Sequence, residues 1–183
     1  MKILKALLIV IVAIVAIVLI TAAFVKTDLV VTREVVIDKP HADVWEYTKY
    51  LKNQDNFSVW ASIDPSMEKS YSGEDGKVGF VSAWVSKHDS VGSGEQEITK
   101  IEEGKRIDYE LRFKEPMEAT NYAYMEFAAV DSTHTKVTWG FSGKFPYPTN
   151  IMLLLVDFDA MLGKDFGQGL ENLKVIMENN EMK

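Results

Sequence analysis

Apolar and polar residues alternate through the middle of this chain, and the rhythm changes to threes and fours near its end. Between Pro148 and Met177, the residues Ile151, Leu155, Phe158, Leu162, Phe166, Leu170, Leu173 and Met177 share one face of a helix about 100° wide. Asp157, Asp159, Lys164, Asp165, Glu171 and Lys174 fall on the other faces. A stripe this long needs an apolar surface to cover it. Gly163, Gly167 and Gly169 each weaken a helix by up to about 1 kcal/mol relative to Ala, so a kink or break is expected near Gly163.

The covering surface is predicted as strands. Leu29–Asp38 is rich in Val, Ile and Thr and reads as the first. Lys39-Pro40 then opens a helical insert, with Asp38 placed to cap it and Val44, Trp45, Tyr47, Thr48 and Leu51 on its apolar face. A second short turn is expected over Asn53–Phe57. Six further strands follow: Met67–Ser72, Val78–Lys87, Val91–Glu102, Arg106–Lys114, Glu118–Val130 and His134–Lys144. Arg106–Lys114 alternates most cleanly, with Ile107, Tyr109, Leu111 and Phe113 opposite Asp108, Glu110 and Arg112. Turns as short as these join antiparallel neighbours.

One stretch breaks both rhythms. Ala6–Val25 is twenty residues without a charge, fourteen of them Leu, Ile, Val or Phe. As a helix it is about 30 Å long, the thickness of a bilayer's hydrocarbon core. Insertion is favoured by about 4–8 kcal/mol as an upper estimate. Thr21-Ala22-Ala23 offers a site for signal cleavage, but the run exceeds the usual apolar core of a signal peptide, which favours an uncleaved anchor. Lys2 and Lys5 before the run predict a single-pass protein with its N-terminus in the cytoplasm and its domain outside. The expected division is an anchor over residues 1–27 and one domain over 28–183.

Charge narrows the partners. Three of the 20 Lys and Arg lie in residues 1–27, so the domain carries 17 against all 27 Asp and Glu, a formal charge of −10. That balance argues against nucleic acid, which needs a basic patch, and against the domain lying flat on an anionic lipid surface. With no Cys, disulfides and thiolate metal sites are excluded.

The order of several short motifs carries a resemblance. Val36-Ile37-Asp38-Lys39-Pro40 runs into Val44-Trp45; Gly92-Ser93-Gly94 leads to Ile98; Ile107–Leu111 and Gly169–Lys174 follow. In these, from about Val30 to Met177, the chain resembles the START-like, or Bet v 1-like, superfamily, and within it bacterial polyketide cyclase/dehydrase-like proteins. The resemblance implies an α+β helix-grip fold: a curved antiparallel sheet of about seven strands around a long C-terminal helix, two short helices closing one end, and an apolar cavity between.

Candidate chemistry is sparse. His41, His88 and His134 fall in a first helical turn and two loops, without a nucleophile or a metal-spaced neighbour, and read as solvated. Glu95 with Glu97, and Asp108 with Glu110, read as outer-face pairs. Arg112 and Glu118 could pair across the Pro116 turn. Tyr122 and Tyr124 have parity opposite to Met125, so either they face out or the strand carries a bulge. The aromatics are more informative, because rings with polar tips can wall a pocket as well as fill a core. Strand and helix parity directs Trp84, Tyr109, Leu111, Met125, Trp139, Phe158 and Leu162 inward, and Trp60 lies in the helical insert. These eight are the expected ligand contacts, with Met125, Met152 and Met161 as adaptable lining. No catalytic residue, cofactor or metal is expected. The function expected is a membrane-anchored binder of an apolar small molecule or lipid. A cyclase or dehydratase would need a buried carboxylate, tyrosine or arginine in the cavity. A structural or interaction module would have no cavity, and would expose an apolar patch beside Phe145–Leu155.

Overall fold

The computed structural model, which describes residues 2–179, arranges seven strands in one antiparallel sheet. The strands are β1 (Asp28–Ile37), β2 (Glu68–Ser72), β3 (Val81–Val85), β4 (Ser93–Glu102), β5 (Arg106–Glu115), β6 (Ala119–Ala129) and β7 (Thr135–Lys144). Their order across the sheet is β1-β7-β6-β5-β4-β3-β2. The first two strands in the chain therefore lie on opposite edges. The segment between them crosses one end of the sheet as α2 (His41–Thr48), a 3-10 turn (Leu51–Asn56) and α3 (Val59–Ile63). Ahead of the sheet runs α1 (Lys2–Ala22), and behind it α4 (Met152–Leu155) and α5 (Phe158–Glu178).

Alternation decides which face of each strand meets α5. On β1 the inward residues are Leu29, Val31, Val35 and Ile37; on β7 they are Thr135, Val137 and Trp139. On β6 Ala123, Met125 and Phe127 face in, while Tyr122 is exposed and Tyr124 lies outside under Arg106, 3.8 Å from ring centre to guanidinium. Phe166, Leu170, Leu173 and Met177 of α5 complete the core. At about 25 cal/mol per Å² of apolar surface removed from water, this interface is the main stabilising element of the fold.

The outer face is polar but not merely solvated. Arg112 bonds Glu95, Glu97 and Glu110 at 2.7, 2.8 and 2.6 Å, and these hydrogen bonds hold its pKa above the ordinary arginine value. The expected partner Glu118 takes no part in that cluster. The reason is register: Glu95 stands directly opposite Arg112 on the neighbouring strand, and Glu110 and Glu97 flank it.

Two local expectations are corrected and a third is met. The last helix breaks at Val156–Asp157 and runs without interruption through Gly163. Val156 is extended, and the Asp157 side chain accepts a hydrogen bond from Ala160 N at 2.9 Å, capping a new helix start. The break resets the phase, so Leu155 of the predicted stripe is exposed. Asp38 does not cap α2, which begins after Pro40 without a side-chain cap. Its backbone N–H donates instead to Glu178 Oε1 at 2.8 Å, tying β1 to the end of α5. The predicted short turn over 53–57 forms as the 3-10 turn, where Asp75 caps Leu51 N at 2.8 Å and Lys52 N at 3.2 Å. Residues 180–183 of the expected domain lie outside the described residues.

Candidate functional site

The sheet and α5 do not meet along their whole length. Toward the strand ends that carry Asp28, Glu115 and Ser93 they part around a cavity of about 290 Å³. Its inner limit is an aromatic cluster. The Trp139 ring meets Phe57 at 5.6 Å, Trp60 at 6.3 Å and Phe166 at 5.0 Å, all edge to face. Such contacts contribute about 0.5–1.5 kcal/mol each beyond burial and hold the rings in place. Trp84 and Phe113, 5.9 Å apart and also edge to face, wall the outer part. Leu111, Phe141 and Leu162 complete the apolar side.

The opposite wall is polar. Ser82 and Gln96 are cross-strand neighbours, both facing the hollow, and neither side chain has a protein partner among the described residues. Beside them, Lys69 and Asp55 pair at 2.8 Å. The Tyr71 hydroxyl donates to Asp55 at 3.0 Å, and burial followed by that carboxylate pushes its pKa up to about 12. Asp55 and Lys69 are the ionisable side chains among the lining residues, and they neutralise each other. The hollow thus offers one apolar wall, one neutral hydrogen-bonding wall and an internally compensated ion pair.

Asp64, just after α3, accepts from the Ser66 hydroxyl at 2.6 Å and from the buried Ser86 hydroxyl beyond β3. The Ser66 bond, then the Ser86 bond, lowers the pKa of Asp64. This clasp fixes α3, which carries Trp60, against the loop 86–92. Ser90 in that loop is the exposed member of the lining and marks the mouth.

Of the eight expected contacts, Trp60, Trp84, Leu111, Trp139 and Leu162 line the hollow. Tyr109 and Met125 do not. Each stands one inward position deeper than a lining residue, Leu111 on β5 and Ala123 on β6, and each is fully buried. Burial raises the pKa of Tyr109 far above its ordinary value, so it is a neutral core ring. Phe158 packs on Phe145 at 4.9 Å, away from the cavity, because α5 begins there. Met152 and Met161 are exposed, while Met67 joins the lining. Ser82 and Gln96 were visible in the sequence as polar residues with inward parity, the one signal that could have identified this wall. His134 is not simply solvated: Nδ1 lies 2.8 Å from Asp131 and Nε2 lies 3.1 Å from Asp38.

Sheet, gripping helix and hollow define a helix-grip domain. The chain belongs to the polyketide cyclase/dehydrase and lipid transport family, whose model matches residues 28–178. Among solved structures it is similar to a norcoclaurine synthase point mutant from Thalictrum flavum in complex with a transition-state analogue. There the TM-score is 0.63 at 8% identity, covering 86% of this chain and 99% of that one. It is also similar to the Aha1 dimer from Colwellia psychrerythraea, with TM-score 0.56, 15% identity and 82% and 96% coverage. A protein from Thermobifida fusca gives TM-score 0.54, 18% identity and 82% and 93% coverage. These likenesses establish the fold. No curated protein matches the sequence. The α1 helix, 21 residues long, has the length and composition of a membrane span or a signal sequence.

Proposed function

We propose that this protein is a membrane-anchored carrier or receptor that takes an apolar small molecule or lipid into the hollow between sheet and α5, without chemistry of its own. The observation that carries the reading is the unfilled, two-walled cavity. Its aromatic side supplies apolar burial at about 25 cal/mol per Å². Its Ser82–Gln96 side suits one neutral polar group of the ligand, since a hydrogen bond to an unpartnered amide or hydroxyl adds about 0.5–1.5 kcal/mol. Acid–base catalysis would draw on a titratable group free to face the ligand, and Asp55 and Lys69 are held by each other.

The anchor reading is supported at the C-terminal end of α1. Ala22 is fully buried against the domain, and Ala23, Phe24 and Val25 continue in hydrogen-bonded turns. The small-residue segment Thr21–Ala23 is therefore held in the last turn of α1 and the turn after it, with Ala22 covered, a poor substrate for a peptidase that must bind an extended chain.

The full chain, purified in mild detergent, is expected to carry a co-purifying lipid or hydrophobic metabolite in native mass spectrometry, and to bind a fluorescent apolar probe. Leu162→Trp, which narrows the hollow, should weaken probe binding about ten-fold. Absence of both ligand and probe binding would overturn the reading. Membrane fractionation with mass measurement of the intact protein tests the anchor separately: a processed, freely soluble product removes it.

A further inference from the structure

The junction of α1 with the domain is built, not slack. The Asn150 side chain, 1% exposed, donates through Nδ2 to Ala22 O at 2.7 Å and to Val25 O at 2.9 Å. A helix C-terminus leaves carbonyls without intrahelical donors, and Asn150 supplies them. Five residues on from Ala22, Thr27 O accepts from Phe145 N at 2.8 Å. The link into β1 is thus held at both ends, and α1 leaves the domain in one direction.

That direction fixes which end of the sheet lies nearest α1. Asp28, where β1 begins, pairs with Lys144 at the close of β7. At the same strand ends lie the loop 86–92, with the cavity mouth at Ser90, and the lining rings of Trp84 and Phe113. Here too the surface is apolar. Phe24 is 88% exposed, Leu155 73% and Leu154 61%, and Tyr147, in the connection between β7 and α4, is more than half exposed. The four-residue helix that carries these two leucines borders a surface groove shared with Lys26, Leu29 and Val30, so it lies beside the link that leaves the foot of α1.

We infer that this lip, formed by α4 with Phe24 and Tyr147, rests in the surface of a phospholipid bilayer, so that the hollow is presented to the membrane and takes its ligand from lipid rather than from water. The inference rests on the anchor reading above. Leucine and aromatic side chains at the headgroup boundary are the ordinary chemistry of interfacial contact, and Lys26 beside Phe24 can extend toward the headgroups. The net negative charge of the domain keeps the rest of its surface off an anionic bilayer while this neutral lip makes contact.

The chain has no cysteine, so single-site labels are available on the full-length protein. Leu155→Cys and Ser132→Cys, the latter in the turn between β6 and β7 at the opposite strand ends, are labelled with an environment-sensitive fluorophore and reconstituted in phosphatidylcholine/phosphatidylglycerol vesicles. Emission at 155 should shift to the blue and fall at least two-fold when nitroxide-labelled lipids are included; emission at 132 should do neither. Protein that floats with the vesicles but has a water-like, unquenched label at 155 overturns the lip and leaves the anchor standing. Protein that does not float overturns both. A blue shift at 155 that nitroxide lipid does not quench means that protein, such as a second copy, covers the lip, and that also overturns the inference.

Discussion

Arg33 lies across Gly163 so closely that a methyl group built at position 163 would stand 1.9 Å from Arg33 Nη2. The guanidinium passes through this gap to reach the Asp159 carboxylate at 2.9 Å and its backbone carbonyl at 3.0 Å. That pairing raises the pKa of Arg33 and lowers that of Asp159, in both cases chiefly through the side-chain hydrogen bond. Gly163 is therefore not a hinge: its missing side chain lets an inward-facing arginine of β1 hold the first turn of α5.

The two positions should consequently be coupled. In an Arg33→Ala background, Gly163→Ala is expected to stabilise by about 1 kcal/mol, the ordinary helix-propensity gain. In the wild type the same change should give none of that gain, because Arg33 must leave Asp159. Urea unfolding of the double-mutant cycle checks this, with a coupling of at least about 0.5 kcal/mol expected. Equal effects in both backgrounds would refute it.

Two glycines further along α5 should respond in opposite directions. A Cβ at Gly169 would meet the Trp139 ring at 2.9 Å, and that ring is locked by Phe57, Trp60 and Phe166. Gly169→Ala should therefore destabilise by about 1–3 kcal/mol, the range for overpacking a core. Among the described residues, nothing lies within 4 Å of a Cβ at Gly167. Gly167→Ala should stabilise by up to about 1 kcal/mol. Thermal melts of the two variants make the comparison directly.

The polar wall of the cavity can be separated from the apolar one. Gln96→Leu removes an amide that faces the hollow without a protein partner among the described residues. Titration with pyrene and with hydroxypyrene should show tighter binding of the first and about 3–10-fold weaker binding of the second relative to the change in pyrene, the worth of one net hydrogen bond. Parallel changes for both probes would mean that Gln96 does not touch a bound molecule.

His134 makes the join between β1, β7 and α5 sensitive to pH. It faces Asp131 on its own turn, Asp38 after β1 and Glu178 at the end of α5, and the Asp131 hydrogen bond is the largest cause of its raised pKa. A raised histidine pKa means stabilisation that is complete below the unfolded value of about 6.5 and disappears as pH rises through the folded value. Asp131 behaves oppositely: the Thr133 backbone N–H, then His134, lowers it to about 2. Its contribution is complete above about pH 3.9 and disappears as pH falls toward 2. The melting-temperature advantage of the wild type over His134→Gln should thus be largest near pH 5 to 6 and shrink on the alkaline side. An advantage that is flat from pH 5 to 9 would contradict the arrangement.

Local pattern was enough to read the strands. All six predicted between residues 67 and 144 form within a few residues of their expected limits, because a half-buried strand must alternate and a hairpin must turn where Gly, Pro, Asp or Ser permit. The inward parity of Trp84, Leu111 and Trp139 followed from the same rule. Depth along the strand did not. Tyr109 and Met125 share that parity and lie in solid core, since parity selects a face but not the level at which α5 lifts away from it.

The amino-acid order by itself determined the succession of strands and helices, the long apolar N-terminal helix and the face each strand turns inward, because these depend on periodicity within a few residues; the helix-grip arrangement was implied by the family resemblance that the ordered motifs carry. Only the tertiary structure decided where α5 begins, why Gly163 must be small, which inward residues border a hollow and how α1 is clamped by Asn150. Each of those depends on side chains that meet from distant parts of the chain, such as Arg33 with Asp159 or Asn150 with Ala22, and no local pattern records their distances.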